Sequence, residues 1–162
     1  MEDELLRQLE EDVTEFLMTS SLNYVSKQMA IEPRDIGMRL YDAPIFGVGS
    51  AEDPLWEQLK QKQAVGELFT TPKEWCPWAK TVISYFAPFS DDVVRGNRQD
   101  KVRVGNGWLY ARVEGQNFLT TMNHFIEEWF QKRRLRAFSP YASDRFRYVF
   151  EAGSAANIAN KK

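Results

Sequence analysis

Cysteine and histidine are nearly missing from this sequence: Cys76 and His124 are the only ones in 162 residues. One thiol forms no intrachain disulfide, and it supplies one of the four thiolates that a [4Fe–4S] cluster takes. One thiol and one imidazole also fall short of a Cys/His zinc site within the chain. Basic residues are not in excess: 21 Lys and Arg stand against 23 Asp and Glu, and a net charge of −2 gives no electrostatic footprint for nucleic acid. No apolar run approaches the roughly 18 residues of a membrane span. The opening MEDELLRQLEED lacks the basic-then-apolar order of a secretory signal, so the expected setting is cytoplasmic. No nucleophile–base pair, phosphate loop or metal spacing emerges. GVGSAE falls short of the dinucleotide fingerprint. Catalytic residues are therefore unassigned, and no metal ligands are expected.

Apolar and aromatic residues, by contrast, are plentiful. At 43% hydrophobic and 14% aromatic, the chain buries a core, and disorder is excluded as its main state. Residues 1–30 read as an amphipathic helical segment, 31–150 as a single α/β domain and 151–162 as a flexible tail. Leu5, Leu9, Val13, Phe16 and Leu17 recur every three or four positions, which marks one stripe of a helix over residues 3–18. That stripe packs either on the domain or on a partner. Residues 39–41 and 45–48 carry short strand character, and Gly47 and Gly49 allow close backbone approach, to a ligand or to a neighbouring element. A helix is expected from Ser50–Pro54 to about Gln63.

Thr81–Phe86 is rich in β-branched and aromatic residues and ends before Pro88, which reads as a strand. Its apolar residues do not alternate strictly, which suits a strand covered on both faces. Ser90 to Asp92 caps a short helix, and Arg95–Val104 is expected to be a mobile surface loop. Asn106 caps a long helix over about 107–133, with Phe118, Met122, Phe125 and Trp129 in one row. Gly115 inside it permits close packing or marks a bend. Leu135–Phe138 is expected to return as a strand beside 81–86 by a right-handed crossover. The expected class is α/β, with α+β open: a small mixed sheet with a central strand near 81–87, flanked by helices.

Three stretches taken in order, YDAPIFGVGSAEDPLW (41–56), PWAKTVIS (77–84) and GWLYARVEGQ (107–116), resemble the N-terminal region of iron–sulfur proteins related to epoxyqueuosine reductase and, more distantly, to reductive dehalogenases. The likeness spans roughly residues 36–140. It implies part of a nitroreductase-like, cobalamin-binding α/β domain of an oxidoreductase. The two downstream cysteine runs that hold [4Fe–4S] clusters in that family do not occur in this sequence, nor does the glycine-rich stretch that completes the domain. The chain is thus expected to be an N-terminal fragment or shortened relative, inactive alone. Tyr85, Arg112 and Gln116, polar groups at a strand end or helix start, are the residues implied to reach corrin amides; surface or capping contacts are the alternative for each. The alternative function is a non-catalytic module that docks a protein partner through the Leu5–Leu17 helix or exposed aromatics. Expected associations are with itself or with the remainder of a longer polypeptide.

Overall fold

The computed structural model describes residues 2–99, 102–141, 143–144, 148–149 and 157–158. In chain order the elements are α1 (Glu2–Thr19), β1 (Ile45–Ser50), α2 (Leu55–Gln58), α3 (Pro72–Trp75), β2 (Thr81–Phe86), α4 (Asp91–Gln99), α5 (Asn106–Lys132), β3 (Tyr148–Val149) and β4 (Asn157–Ile158), with 3-10 turns at Ser21–Asn23 and Pro33–Asp35. The chain divides into two compact units: Met1–Phe46 with Tyr85–Arg136, and Gly47–Ser84 with Ala137–Lys162. The tail expected at 151–162 lies outside the described residues apart from β4.

In the first unit, the apolar stripe of α1 is spent internally. Leu9, Val13 and Leu17 are buried, and Phe16 stacks on Phe125 of α5 at 4.3 Å between centroids and on Phe118 at 6.0 Å. The stripe therefore does not provide the partner-docking surface that was one of its two readings. A helix leaves its last carbonyls without intrahelical partners. At the end of α1, residues 20–24 supply them. Phe16 C=O accepts from Ser20 N–H, Leu17 C=O from the Asn23 side-chain amide and Met18 C=O from the Tyr24 hydroxyl. Asn23 is fully buried and also clasps Tyr41: its amide donates to Tyr41 C=O and its carbonyl accepts from Tyr41 N–H.

Tyr41 carries the packing onward to α5. Its hydroxyl donates to Ala111 C=O, and its ring lies over Gly115, where a Cβ would stand 2.7 Å from the Tyr41 oxygen. Gly115 thus serves close packing. Asn106 is not the cap of α5. Gly105 holds that position, and Asn106 is the first helical residue, with its amide donating to the buried Asp35 carboxylate at 3.0 Å. The Tyr110 hydroxyl donates to the same carboxylate at 2.8 Å, which ties the turn at residues 33–35 to the first turn of α5.

Residues 95–99 are helical rather than a loop. Asp91 and Asp92 favour the start of α4 through the helix dipole, Arg95 pairs with Asp92, and Val93 anchors the helix in the core.

The sheet differs from expectation in its partners and direction. β2 has the expected bounds, but its one ladder neighbour among the described residues is β1, so it is not central. The pairing is antiparallel: Tyr41 faces Phe89 at one end, and Ala51 N–H donates to Lys80 C=O at the other. Gly47 allows the close approach expected of it, toward the Ser84 hydroxyl, which a Cβ would meet at 3.2 Å; Gly49 faces open space.

Residues 135–138 form no strand, and the reason lies at the end of α5. Arg134 N–H donates to Gln131 C=O and Leu135 N–H to Phe130 C=O, with Arg134 at φ 57°. This is a Schellman turn with arginine where glycine usually sits. It turns the chain aside and leaves Leu135 and Arg136 exposed. Arg134→Gly is expected to stabilise the chain by about 0.5–1 kcal/mol, by relieving the left-handed backbone. A higher midpoint in urea unfolding with an unchanged slope checks this.

In the second unit, α2 stops at Gln58, short of the expected Gln63. The indole of Trp56 turns back to donate to Ser50 C=O at 2.8 Å and stacks on Phe69. α3 opens with a capping box, Thr71 with Glu74, and with Pro72 at its first position. Trp75 and Cys76 are buried, packed by Ala79 and Phe138. β3 and β4 pair antiparallel, Tyr148 opposite Ile158.

Candidate functional site

Two of the residues implied as cofactor contacts lie on one helix, and the third, Tyr85, contacts the same helix about two turns further along. Arg112 and Gln116 are four apart on α5, and Asn123 follows seven later, so all three fall on one face. Tyr85, near the end of β2, reaches that face by donating to Asn123 Oδ1 at 2.7 Å. One turn before Arg112, Trp108 offers its ring to the guanidinium at 5.8 Å. Tyr85 is held from its other side by Phe46, 6.2 Å between ring centroids. The face thus carries a phenol, two carboxamides, a guanidinium and an indole. Exposed Leu109 and Val113 flank Arg112.

Beneath this face lies the Tyr41 phenol. Burial pushes it up to about 12 from the usual 10, partly opposed by the nearby Arg112 charge. Burial also raises Tyr110. A folded-state value above the unfolded one means the stabilisation is whole below pH 10 and is lost as the pH rises through about 12. Wild-type stability is therefore expected to fall more steeply over that window than that of Tyr41→Phe, as read from urea midpoints at stepped pH.

Among the described residues no three His, Cys, Asp or Glu side chains come together as a metal site, Cys76 is buried, and His124 lies exposed beside Glu127 at 3.8 Å. No helix among them is long and apolar enough to cross a membrane.

A second feature was not legible in the sequence. A groove of about 660 Å³ runs between α1 and the lead-in to β1, with Glu10, Glu11, Thr14 and Glu15 on one wall and Pro44, Ile45 and Phe46 on the other. Acidic residues opposite an apolar stripe read as an ordinary solvated face. The only sequence signal was the spacing of Glu11 and Glu15. The buried Asn23 and Asp35 were missed as well; a lone Asn in the apolar stretch Leu22–Val25 was the available sign.

The fold is a mixed helix and strand arrangement, and one face of α5 gathers Arg112, Gln116 and Asn123. No family model, curated protein or solved structure matches the chain.

Proposed function

We propose that the chain is scaffold from an iron–sulfur, cobalamin-dependent reductase of the epoxyqueuosine reductase kind, part of a nitroreductase-like domain and inactive alone. Contiguity supports this reading. The stretches 41–56, 77–84 and 107–116 are distant in sequence, yet β1 pairs with β2 and Tyr41 packs directly on Ala111 and Gly115. The residues present do not fit an iron–sulfur cluster, since the sequence holds one cysteine against the four thiolates such a cluster takes, and no electron-transfer step is assigned to this chain.

They do fit the periphery of a corrin. Gln116, Tyr85 and Arg112 are of the type that answers its amide fringe, and Trp108 gives a flat apolar surface beside them. Cobalamin, when bound, supplies the reducing chemistry, and the protein orients it. In that role Asn123 fixes the Tyr85 hydroxyl, and Trp108 steadies the Arg112 guanidinium.

Hydroxocobalamin titration, followed by absorbance and by heat, tests the proposal. Saturable binding is expected, weakened about tenfold or more in Arg112→Ala/Gln116→Ala, as the loss of two hydrogen-bonding groups implies. No response at high micromolar cofactor overturns it. It would favour the second reading, a docking module, for which the exposed Leu109 and Val113 beside Arg112 speak.

A further inference from the structure

The groove beside α1 is unbalanced in charge. Glu10, Glu11 and Glu15 form no ion pair among the described residues, and their carboxylates do not gather at a metal-sized point. The opposite wall is apolar, and Ile45 on it is 65% exposed. Such a groove suits a segment with cationic side chains around an apolar one.

This chain carries such a segment at the end of α5: Lys132-Arg133-Arg134-Leu135-Arg136. Arg133 is engaged at home, stacked on Trp129 and paired with Asp12. Arg134 is different. Its backbone is left-handed, where glycine would be less strained, and its guanidinium makes no hydrogen bond or ion pair among the described residues. Leu135 beside it is 40% exposed. A strained residue with an unused charge points to a role outside its own fold.

We infer that the groove receives the Arg134–Leu135 turn of a second copy of this chain. The Asp12–Arg133 pair sets the basic turn beside α1, so the acidic and basic patches are neighbours on one unit. Neighbouring patches of opposite sign are self-complementary about a two-fold axis: each copy's turn enters the other's groove, and the pair closes. Arg134 meets Glu11 and Glu15, and Leu135 covers Ile45 and Phe46. Charge matching of this kind weakens with salt.

Sedimentation equilibrium of the full chain without cofactor tests this independently of corrin binding. A salt-sensitive monomer–dimer equilibrium is expected, about tenfold weaker in Glu11→Lys and in Arg134→Glu, and recovered in the doubly reversed chain. Arg134→Gly separates docking from folding: the monomer becomes more resistant to urea while the dimer weakens. The inference is overturned by a chain that stays monomeric, by an Arg134→Gly dimer as tight as wild type, or by a double reversal that fails to recover. A monomeric chain that binds a polylysine peptide at the groove overturns it too, and assigns the groove to another protein.

Discussion

Asn23→Leu is expected to lower stability by about 3–5 kcal/mol, although the two side chains share the same heavy-atom branching. The reason is what Asn23 satisfies. Its amide serves Leu17 C=O and Tyr41 C=O at 3.0 Å each, and its carbonyl takes Tyr41 N–H at 2.9 Å. All three backbone groups belong to buried surroundings, and each would be left without a partner, at about 1–3 kcal/mol apiece. Two elements would loosen together, because the same side chain closes α1 and fixes Tyr41 under α5. Asn23→Asp keeps the acceptor but loses both donors and buries a charge, so it is expected to be at least as damaging. Urea unfolding measures both; a loss below about 1 kcal/mol for the leucine variant would contradict this reading of Asn23.

Gly115→Ala is expected to destabilise by about 1–3 kcal/mol, against the gain of about 1 kcal/mol that alanine normally brings to a helix interior. The sign decides. A new Cβ would stand 2.7 Å from the Tyr41 oxygen and 2.9 Å from its ring, and the ring is pinned by its bond to Ala111 and by Phe89 at 5.4 Å. Tyr41→Phe leaves the ring contact in place and so does not rescue; Tyr41→Leu makes room. In a double-mutant cycle the Gly115→Ala penalty is expected to shrink or vanish in the Tyr41→Leu background. An unchanged penalty would mean that the helix, rather than the contact, carries the cost.

What was legible in the sequence was what local period dictates. The three-and-four spacing of α1 and the apolar row of α5 fold as read, because each buries its apolar face. Thr81–Phe86 forms the strand as read, but none of its residues is buried and Phe86 is 64% exposed, so it is not covered on both faces. Pairing was not legible. The direction of the ladder depends on a 51–80 excursion that brings the chain back as β2, antiparallel to β1, and no period encodes it. The strand expected at 135–138 fails for a local reason that composition hides: Arg134 adopts a left-handed turn without glycine to announce it. The helix through Arg95–Gln99 was obscured by its polarity; a single buried residue, Val93, holds it.

The placement of Tyr85, Arg112 and Gln116 was legible by half. Arg112 and Gln116 share a face because four residues nearly close a helical turn, which any sequence reading permits. That Tyr85 joins them depends on Asn123, a tertiary contact. The groove was invisible, since carboxylates facing solvent and carboxylates facing a cavity share one pattern.

Hydrogen exchange with and without hydroxocobalamin tests the central claim most directly. Added protection confined to α5 between Trp108 and Asn123 and to the end of β2 around Tyr85 is the expected result. Protection along the acidic face of α1, or none anywhere at saturating cofactor, would contradict it.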